Sequence, residues 1–165
     1  MKAFYFKHLL SFHNPSGTSR GILKQKESWF IVIVQGNKTG IGECSLIEGL
    51  SPDPVKSYEQ ILKTVCENIS DGFENLSLKL NSFPSILFGL ETAFRSFESH
   101  DPLLLFPSAF TKNKDSIAVN GLIWMGEKNF MISQIKEKIN AGFDCIKIKI
   151  GSLDFKTELD IIKNI

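Results

Sequence analysis

The sequence predicts an α+β region of strands followed by helices, and then a segment in which strands and helices alternate. Three observations carry this prediction. Up to residue 46, aromatic and β-branched residues cluster in short runs between turn residues, and between residues 55 and 97 apolar residues recur every three to four positions. After about residue 115, strand-like and helix-like patterns alternate. Such alternation predicts parallel strands joined by right-handed crossovers.

The first part of the chain is predicted to begin with a three-stranded antiparallel meander. Residues 1–10 and 27–35 form the first two strands, separated by a long polar loop over residues 11–21. Residues 36–40 supply a glycine-rich hairpin turn, and residues 41–46 return as the third strand.

Two helices are predicted to follow. Asp53 is a favourable N-cap residue with Pro54 at the first helical position. The second helix begins near Pro84 and ends before Pro102, because the residue preceding a proline avoids the helical conformation. The apolar faces of these helices are Val55, Tyr58, Ile61, Leu62, Val65 and Ile69, and then Ile86, Leu87, Leu90, Ala93, Phe94 and Phe97.

The alternating segment is predicted as strand 117–124, helix 127–140, strand 144–150 and a helix capped by Asp154. Gly142 occupies the place of a glycine that ends a helix. The expected inward residues of the two helices are Phe130, Met131, Ile135 and Ile139, and then Phe155, Leu159, Ile162 and Ile165.

Composition and charge exclude several classes of protein. The 165 residues carry 19 Lys and Arg against 18 Asp and Glu, a net charge of +1, which disfavours a strongly basic nucleic-acid binder. The three cysteines are far apart and form no CxxC pair, so a disulfide framework or zinc ribbon is not expected, and a cytoplasmic location fits. No apolar run approaches the ~20 residues needed to cross a bilayer.

The segment with the clearest chemistry is the strand that contains Lys147 and Lys149. Alternation places these lysines on one face and Ile146, Ile148 and Ile150 on the other. Alone, this pattern is typical of a half-exposed strand with its lysines in solvent. A strand of a parallel sheet, however, is normally covered on both faces. In a closed barrel the lysines would point inward near the carboxyl ends of the strands, about 7 Å apart, where a neutral amine can abstract a proton.

Lys147-Ile148-Lys149 resembles the Lys-x-Lys motif at the end of the second barrel strand in the enolase superfamily. Residues 40–44, 48–51 and 120–122 resemble further segments of that superfamily. The resemblance implies an α+β capping domain over residues 1–112, comprising the meander and its helices. It also implies that residues 113–165 are the first βα units of an incomplete, TIM-like (β/α) barrel.

Within the superfamily, residues 14–21 resemble the substrate-covering loop of the o-succinylbenzoate synthase family, in the muconate-lactonizing-enzyme-like subgroup. That family implies a lyase of menaquinone biosynthesis, which dehydrates 2-succinyl-6-hydroxy-2,4-cyclohexadiene-1-carboxylate with Mg²⁺ as cofactor. The resemblance implies that Lys149 removes the proton α to the carboxylate and that Lys147 assists it. It assigns Arg20 to a substrate carboxylate, with Ser19 and Thr18 as hydroxyl donors, although Arg20 is equally compatible with an ordinary surface arginine.

The length sets an expectation about the metal. Superfamily members hold Mg²⁺ with acidic residues of later barrel strands and use a further lysine later still, and a complete barrel takes about 250 residues. We therefore expect the chain to be an N-terminal piece that binds no Mg²⁺ and is inactive alone. Asp144, Asp154 and Glu158 are assigned to a strand start, a helix cap and a helix surface, and not to metal ligation.

The expected partner is a small-molecule carboxylate substrate, with neither nucleic acid nor membrane, and self-association is expected through the open sheet edge. Two alternatives remain open. The chain could belong to another enzyme of the superfamily, an N-acylamino-acid racemase or a dipeptide epimerase, which would use the same Lys149. It could also be a non-catalytic binding module. Trp124 and Met125 could line the barrel mouth, although ordinary core packing would also explain them.

Overall fold

The structure is a computed structural model that describes residues 1–18, 21–151 and 153–163. The chain divides into two compact units. The first comprises Met1–Ser11 and Gln25–Lys114, and the second comprises Phe12–Lys24 and Asp115–Ile165. The domain boundary after residue 112 stays a prediction.

The three-stranded antiparallel sheet is confirmed. Strands β1 (Lys2–Thr18), β2 (Gly21–Gln35) and β3 (Lys38–Cys44) lie side by side in the order β1-β2-β3. The register of β2 and β3 runs from Trp29 opposite Cys44 to Gln35 opposite Lys38. Only two residues join these strands, and Gly36 has a φ of 59°, the left-handed value that a tight hairpin turn requires.

The polar loop predicted over residues 11–21 is wrong, because β1 continues as a strand as far as Thr18. Hydrogen bonding to the neighbouring strand β2 overrides the turn propensity of this segment. Pro15 is tolerated because β1 is an edge strand, where a residue without an N–H leaves no ladder bond unmade. At Ser11 the side-chain Oγ accepts a hydrogen bond of 3.4 Å from Gln25 Nε2 across the hairpin.

The helices of the first unit are α1 (Val55–Glu67), α2 (Gly72–Ser77) and α3 (Pro84–Glu98), with a 3₁₀ turn at Ile69–Asp71. The predicted apolar periodicity is largely confirmed, since most of the predicted inward residues are buried or partly buried against the sheet. Val55 is the exception and is exposed. The buried core consists of Trp29, Ile31, Ile33, Cys44, Leu46, Tyr58, Leu62, Val65, Cys66, Ile69, Leu76, Leu80, Phe83, Ile86, Leu90, Ala93 and Phe94.

Asp53 does not cap the helix that follows it, contrary to the prediction. Helix α1 begins after Pro54 and has no side-chain capping hydrogen bond. The buried carboxylate of Asp53 instead accepts hydrogen bonds from the backbone N–H of Ser85, at 3.0 Å, and from its hydroxyl, at 2.7 Å. These groups lie in the first turn of α3, so Asp53 caps a helix that begins some 30 residues later.

Strand β3 and helix α3 approach each other closely because three glycines face one another. A Cβ atom built on Gly42 would lie 1.9 Å from the carbonyl oxygen of Gly89, and one on Gly40 would lie 2.3 Å from that of Ala93. A Cβ on Gly89 would meet Cys44 Sγ at 2.3 Å. The Gly-Ile-Gly sequence in β3 is therefore explained by packing against a helix.

The second unit contains the predicted alternation of strands and helices. Strand β4 (Gly121–Ile123), helix α4 (Lys128–Asn140), strand β5 (Ile146–Ile148) and helix α5 (Phe155–Lys163) follow in that order. The two strands are parallel, which confirms the prediction, but each is shorter than expected. The small core consists of Ile123, Met131, Ile135 and Ile161, with Ile132, Ile146, Ile148 and Leu153 packed against it.

Four residues predicted to face inward on the helices are exposed instead. These are Phe130, Ile139, Phe155 and Ile162, whereas Ile161 is buried; Ile165 lies outside the described residues. A sheet of two short strands offers only a narrow apolar surface, so each helix buries only a few side chains.

The predicted helix termini of the second unit are confirmed. Asp154 Oδ1 accepts a hydrogen bond from Thr157 N at 3.0 Å, and hydrogen bonds from the Thr157 side chain and backbone lower the pKa of Asp154. Gly142, with a φ of 81°, ends α4.

Candidate functional site

The carboxyl ends of β4 and β5 bring the lysine strand next to Trp124. The parallel register places Leu122 opposite Lys147 and Ile123 opposite Ile148. One residue further on, Lys149 Nζ lies 4.9 Å from the centroid of the Trp124 ring. This distance is within the range of a cation–π interaction.

The two faces of the lysine strand differ as the alternation predicted. Ile146 and Ile148 pack against the core of the second unit, whereas Lys147 is exposed and Lys149 is half-buried on the other face. Ile150, expected on the packed face, is exposed, because the strand ends before it. Lys147 and Lys149 therefore share a face with Leu122 and Trp124.

The turn that follows Lys149 is held by Glu158. Its Oε1 atom accepts hydrogen bonds from the backbone N–H groups of Gly151, at 2.7 Å, and Leu153, at 3.1 Å. Glu158 was predicted to lie on a helix surface, and the structure shows it buried instead. Burial is feasible because the carboxylate pairs with backbone donors, and its effect is to fix the backbone just beyond the lysines.

A pocket of about 340 Å³ lies in the second unit, beside Trp124. One wall comes from β1, near the tip of the hairpin, and the other from the end of β4 and the first turns of α4. The lining residues are Phe12, His13, Pro15, Trp124, Met125, Phe130 and Gln134. Trp124 and Met125 were candidates for the barrel mouth, whereas sequence reasoning missed Phe12, Phe130 and Gln134 as pocket residues. Phe12 was placed in the predicted polar loop, and Phe130 and Gln134 in the predicted helix 127–140, so none of them carried a signal for a site.

Gln134 fixes the backbone at the pocket. Its Oε1 accepts a hydrogen bond from Trp124 N at 3.0 Å, and its Nε2 donates to Trp124 O at 3.1 Å. The side-chain amide of Gln134 thus pairs with both the backbone N–H and the backbone carbonyl of Trp124, as a neighbouring strand would, immediately after β4 ends.

Of the predicted substrate-binding residues, only the backbone of Thr18 is described. Ser19 and Arg20 are outside the described residues, and Thr18 is the last residue of β1. The same strand contributes Phe12, His13 and Pro15 to the pocket.

A larger cleft of about 490 Å³ lies on the helical side of the second unit. It is lined by Lys128, Lys156, Thr157, Leu159, Asp160 and Lys163, which are surface residues of α4 and α5. In a barrel this is the side away from the strands' inner face, and active sites form at the carboxyl ends of the strands. The smaller pocket, bordered by the Trp124 ring that Lys149 contacts, is therefore the better candidate site.

The cysteines do not form a reactive centre in the described part of the chain. All three are free thiols. Burial raises the pKa of Cys44 to about 12 and that of Cys66 to about 11, which disfavours the nucleophilic thiolate. Cys145 is exposed.

Neither a metal cluster nor a membrane span is found in residues 1–18, 21–151 and 153–163. No group of three or more His, Cys, Asp or Glu side chains in these ranges could hold a metal ion. No helix there has the length and apolarity needed to cross a bilayer.

None of the protein-family models matches the sequence. A curated relative, o-succinylbenzoate synthase from Desulfotalea psychrophila, is 33% identical over 196 aligned residues, which cover 100% of this chain and 53% of the relative. The chain thus spans about half the length of the curated relative that it matches.

Solved structures share the fold. The crystal structure of MenC from Desulfotalea psychrophila is 27% identical, with a TM-score of 0.78 over 99% of this chain and 52% of that chain. An o-succinylbenzoate synthase from Thermosynechococcus elongatus, complexed with Mg in its active site, is 15% identical (TM-score 0.72, 99% and 47% covered). A dipeptide epimerase from Methylococcus capsulatus, complexed with Mg and a dipeptide, is 12% identical (TM-score 0.76, 99% and 49% covered). The last two show a common fold alone.

Proposed function

This chain belongs to the enolase superfamily, and from that premise we propose that it is the N-terminal part of an o-succinylbenzoate synthase. The enzyme would dehydrate 2-succinyl-6-hydroxy-2,4-cyclohexadiene-1-carboxylate to o-succinylbenzoate in menaquinone biosynthesis. The 33% identity over the full length of this chain favours this activity over the other reactions of the superfamily.

One observation carries the proposal. Lys149 follows the carboxyl end of β5, and its Nζ lies 4.9 Å from the ring centroid of Trp124, which borders a pocket with aromatic walls. Barrel enzymes place their reacting groups at this end of the strands. Lys149 directly follows β5, so the strand fixes the position of its backbone.

In the proposed reaction, neutral Lys149 takes the proton α to the substrate carboxylate. The electrons of the broken C–H bond form an enediolate, then expel the ring hydroxyl, which leaves as water with a proton returned by Lys149. Loss of water makes the ring aromatic, and this favours elimination. The ammonium of Lys147, on the same face, would contact the substrate carboxylate.

Residues of the segment 12–20, together with Phe130, would recognise the rest of the substrate. The apolar and aromatic residues Phe12, Pro15 and Phe130 provide a surface for the ring. We propose that Arg20 pairs with the succinyl carboxylate, since a guanidinium binds carboxylates through two parallel hydrogen bonds. Ser19 and Thr18 would add hydroxyl donors.

The described residues do not fit a Mg²⁺ site, because they contain no cluster of three acidic or imidazole ligands. No step of the proposed reaction is therefore assigned to a metal held by these residues. We place the magnesium ligands of the whole enzyme outside this chain.

The test is a kinetic comparison in the full-length protein. Lys149→Ala should lower kcat by at least 10²–10⁴-fold in an assay of substrate dehydration, since a positioned acid or base contributes about that much. The exposed lysine Lys136, on α4 of the same unit, supplies the matched control, and Lys136→Ala should keep the wild-type rate. A Lys149→Ala variant with near-wild-type turnover would refute the proposal.

The same protein should be assayed for dipeptide epimerisation, because dipeptide epimerases share the fold. If the protein catalysed epimerisation and no dehydration, the substrate would be a dipeptide, and Lys149 would still be the proposed base. Absence of both activities in the full-length protein, with Lys147 and Lys149 merely binding an anion, would favour a binding module.

A further inference from the structure

Trp124 and Gln134 form a support for Lys149 that is not required by the strand pairing itself. Strand β4 ends at Ile123, so the backbone of Trp124 has no ladder partner from the sheet. The Gln134 side chain supplies one by bonding both the N–H and the carbonyl of Trp124. Its Nε2 also lies 3.4 Å from the carbonyl oxygen of Phe130, within the same helix.

This support matters because Trp124 is not immobilised by burial. Its side chain is 42% exposed and borders the pocket. A half-exposed ring on an unpaired backbone segment would be free to change rotamer and to shift with the backbone. Fixing the backbone at both polar groups restricts where the indole can lie.

The indole in turn defines where Lys149 can lie. The Lys149 side chain has four rotatable bonds, and no hydrogen bond or ion pair to Lys149 is found within residues 1–18, 21–151 and 153–163. The contact of its Nζ with the Trp124 ring, at 4.9 Å, is therefore what orients it in the described structure.

We infer that Gln134 is a positioning residue, which acts on Lys149 through the indole of Trp124. This inference rests on the proposed function, in which Lys149 is the base. Gln134 does not touch the reacting atoms and sits on a helix outside the strands. Its effect should appear in the chemical step, because a displacement of about 1 Å at a reacting group can lower a rate 10²-fold.

The test uses the full-length enzyme and three variants. Gln134→Met, which keeps the length of the side chain and removes both hydrogen bonds, should lower kcat about 10- to 100-fold and leave KM within about twofold. Trp124→Leu should lower kcat by a similar factor. Trp124→Phe, which retains an aromatic ring, should recover most of the rate.

A double-mutant cycle separates positioning from a general loss of structure. If Gln134 acts through the indole, adding Gln134→Met to Trp124→Leu should lower kcat no further. Multiplicative losses in the double variant would overturn the inference. So would a wild-type kcat in Gln134→Met, or equal losses in Trp124→Phe and Trp124→Leu.

A matched control comes from a cation–π pair on the first unit. Phe106→Leu removes the ring that lies 5.8 Å from the Arg95 guanidinium at an exposed position and should leave kcat unchanged. Far-UV circular dichroism and a urea midpoint for each variant show whether it is folded. If Gln134→Met does not fold, Gln134→Glu replaces it in the cycle, because it keeps the acceptor for Trp124 N–H and removes the donor to the Trp124 carbonyl.

The two proposals fail differently. Full activity in Lys149→Ala would remove the proposed base and this inference with it. Loss of activity in Lys149→Ala together with full activity in Gln134→Met would remove only the inference.

Discussion

The two units of the chain differ sharply in the size of their buried apolar cores. In the first unit the sheet and the helices share one core of seventeen buried residues. The second unit has a core of four buried residues in its described part, and α4 and α5 leave Phe130, Ile139, Phe155 and Ile162 exposed.

The difference lies in the sheets. An antiparallel sheet with one face covered by helices makes a complete core on its own. A pair of parallel strands belongs to an architecture in which further strands and helices complete the layers, and the barrel has eight of each. We therefore expect the first unit to carry most of the stability of this chain, and the second to depend on neighbours.

The largest effect is expected at the contact between β3 and α3. Gly42→Ala should lower the free energy of unfolding by about 3 kcal/mol or more, because its Cβ would lie 1.9 Å from a backbone oxygen that cannot move alone. Gly36→Ala is the control, since its Cβ would meet nothing within 4 Å. The φ of Gly36, 59°, lies in the left-handed region, so Gly36→Ala should lower the free energy of unfolding by only about 1–2 kcal/mol. Urea unfolding of the 165-residue chain gives both values, and equal losses would contradict the steric explanation.

A second comparison tests the two cores directly. Leu90→Ala in the first unit should lower the free energy of unfolding by about 3 kcal/mol, and Ile161→Ala in the second by about 2 kcal/mol, although both side chains are almost fully buried. The second site is surrounded by partly exposed residues that can collapse into the cavity.

Two readouts assign each of these losses to a unit. Labelling of the buried thiols Cys44 and Cys66 reports opening of the first unit, and amide exchange in α4 reports opening of the second. A loss at Ile161 as large as that at Leu90 would show that the second unit is packed as tightly as the first.

The third prediction concerns the pH dependence of the first unit. Glu43 accepts hydrogen bonds from Ser28, at 2.7 Å, and Lys26, at 3.0 Å, and these bonds lower the pKa of Glu43. A carboxyl group whose pKa is lowered by folding stabilises the protein above its unfolded pKa, near 4.5, and loses that contribution as the pH falls through the folded value.

Ser28→Ala should therefore destabilise the chain by about 1 kcal/mol at pH 7, and by progressively less below pH 4.5. Calorimetric Tm values between pH 3 and 8 measure the difference. Ser116→Ala, at an exposed position, should give no pH-dependent change. A Ser28→Ala loss that is constant with pH would exclude Glu43 as its origin.

The smallest effect on stability is expected on the outer face of the second unit. Phe155 is 79% exposed, so Phe155→Ser should change the free energy of unfolding by no more than about 0.5 kcal/mol. If this face causes the self-association expected of the chain, the same change should lower the apparent mass in sedimentation experiments. Phe88→Ser, which removes an exposed ring from α3, provides the control from the first unit. If both substitutions lowered the apparent mass equally, self-association could not be assigned to the second unit.

The local sequence pattern was sufficient to predict most of the secondary structure and the core of the first unit. The apolar periodicity of α1 and α3 predicted their buried faces, because both helices pack on a complete sheet. The extension of β1 to Thr18 was not predictable, since it depends on pairing with a strand elsewhere in the chain. The predicted inward faces of α4 and α5 were wrong at Phe130, Ile139, Phe155 and Ile162 for a related reason. The surface that these helices pack against is narrow, and its width depends on the number of paired strands and not on the helix sequence.

Within the candidate site, alternation predicted the face shared by Lys147 and Lys149. It could not predict that Lys149 meets Trp124, because that contact depends on the register of two separate strands. The burial of Glu158 also escaped prediction, since its partners are backbone groups, which carry no sequence signal.

The hydrogen bonds from Ser85 to Asp53 limit how this fold can be rearranged. A peptide of residues 84–98 lacks the carboxylate that satisfies its first turn, so it is a poorer helix alone than in the chain. The fold should tolerate an insertion between residues 53 and 84 only if Ser85 can still reach the carboxylate of Asp53. Transplanting α3 to another scaffold, or permuting the chain within this segment, must therefore carry Asp53 along as part of the helix.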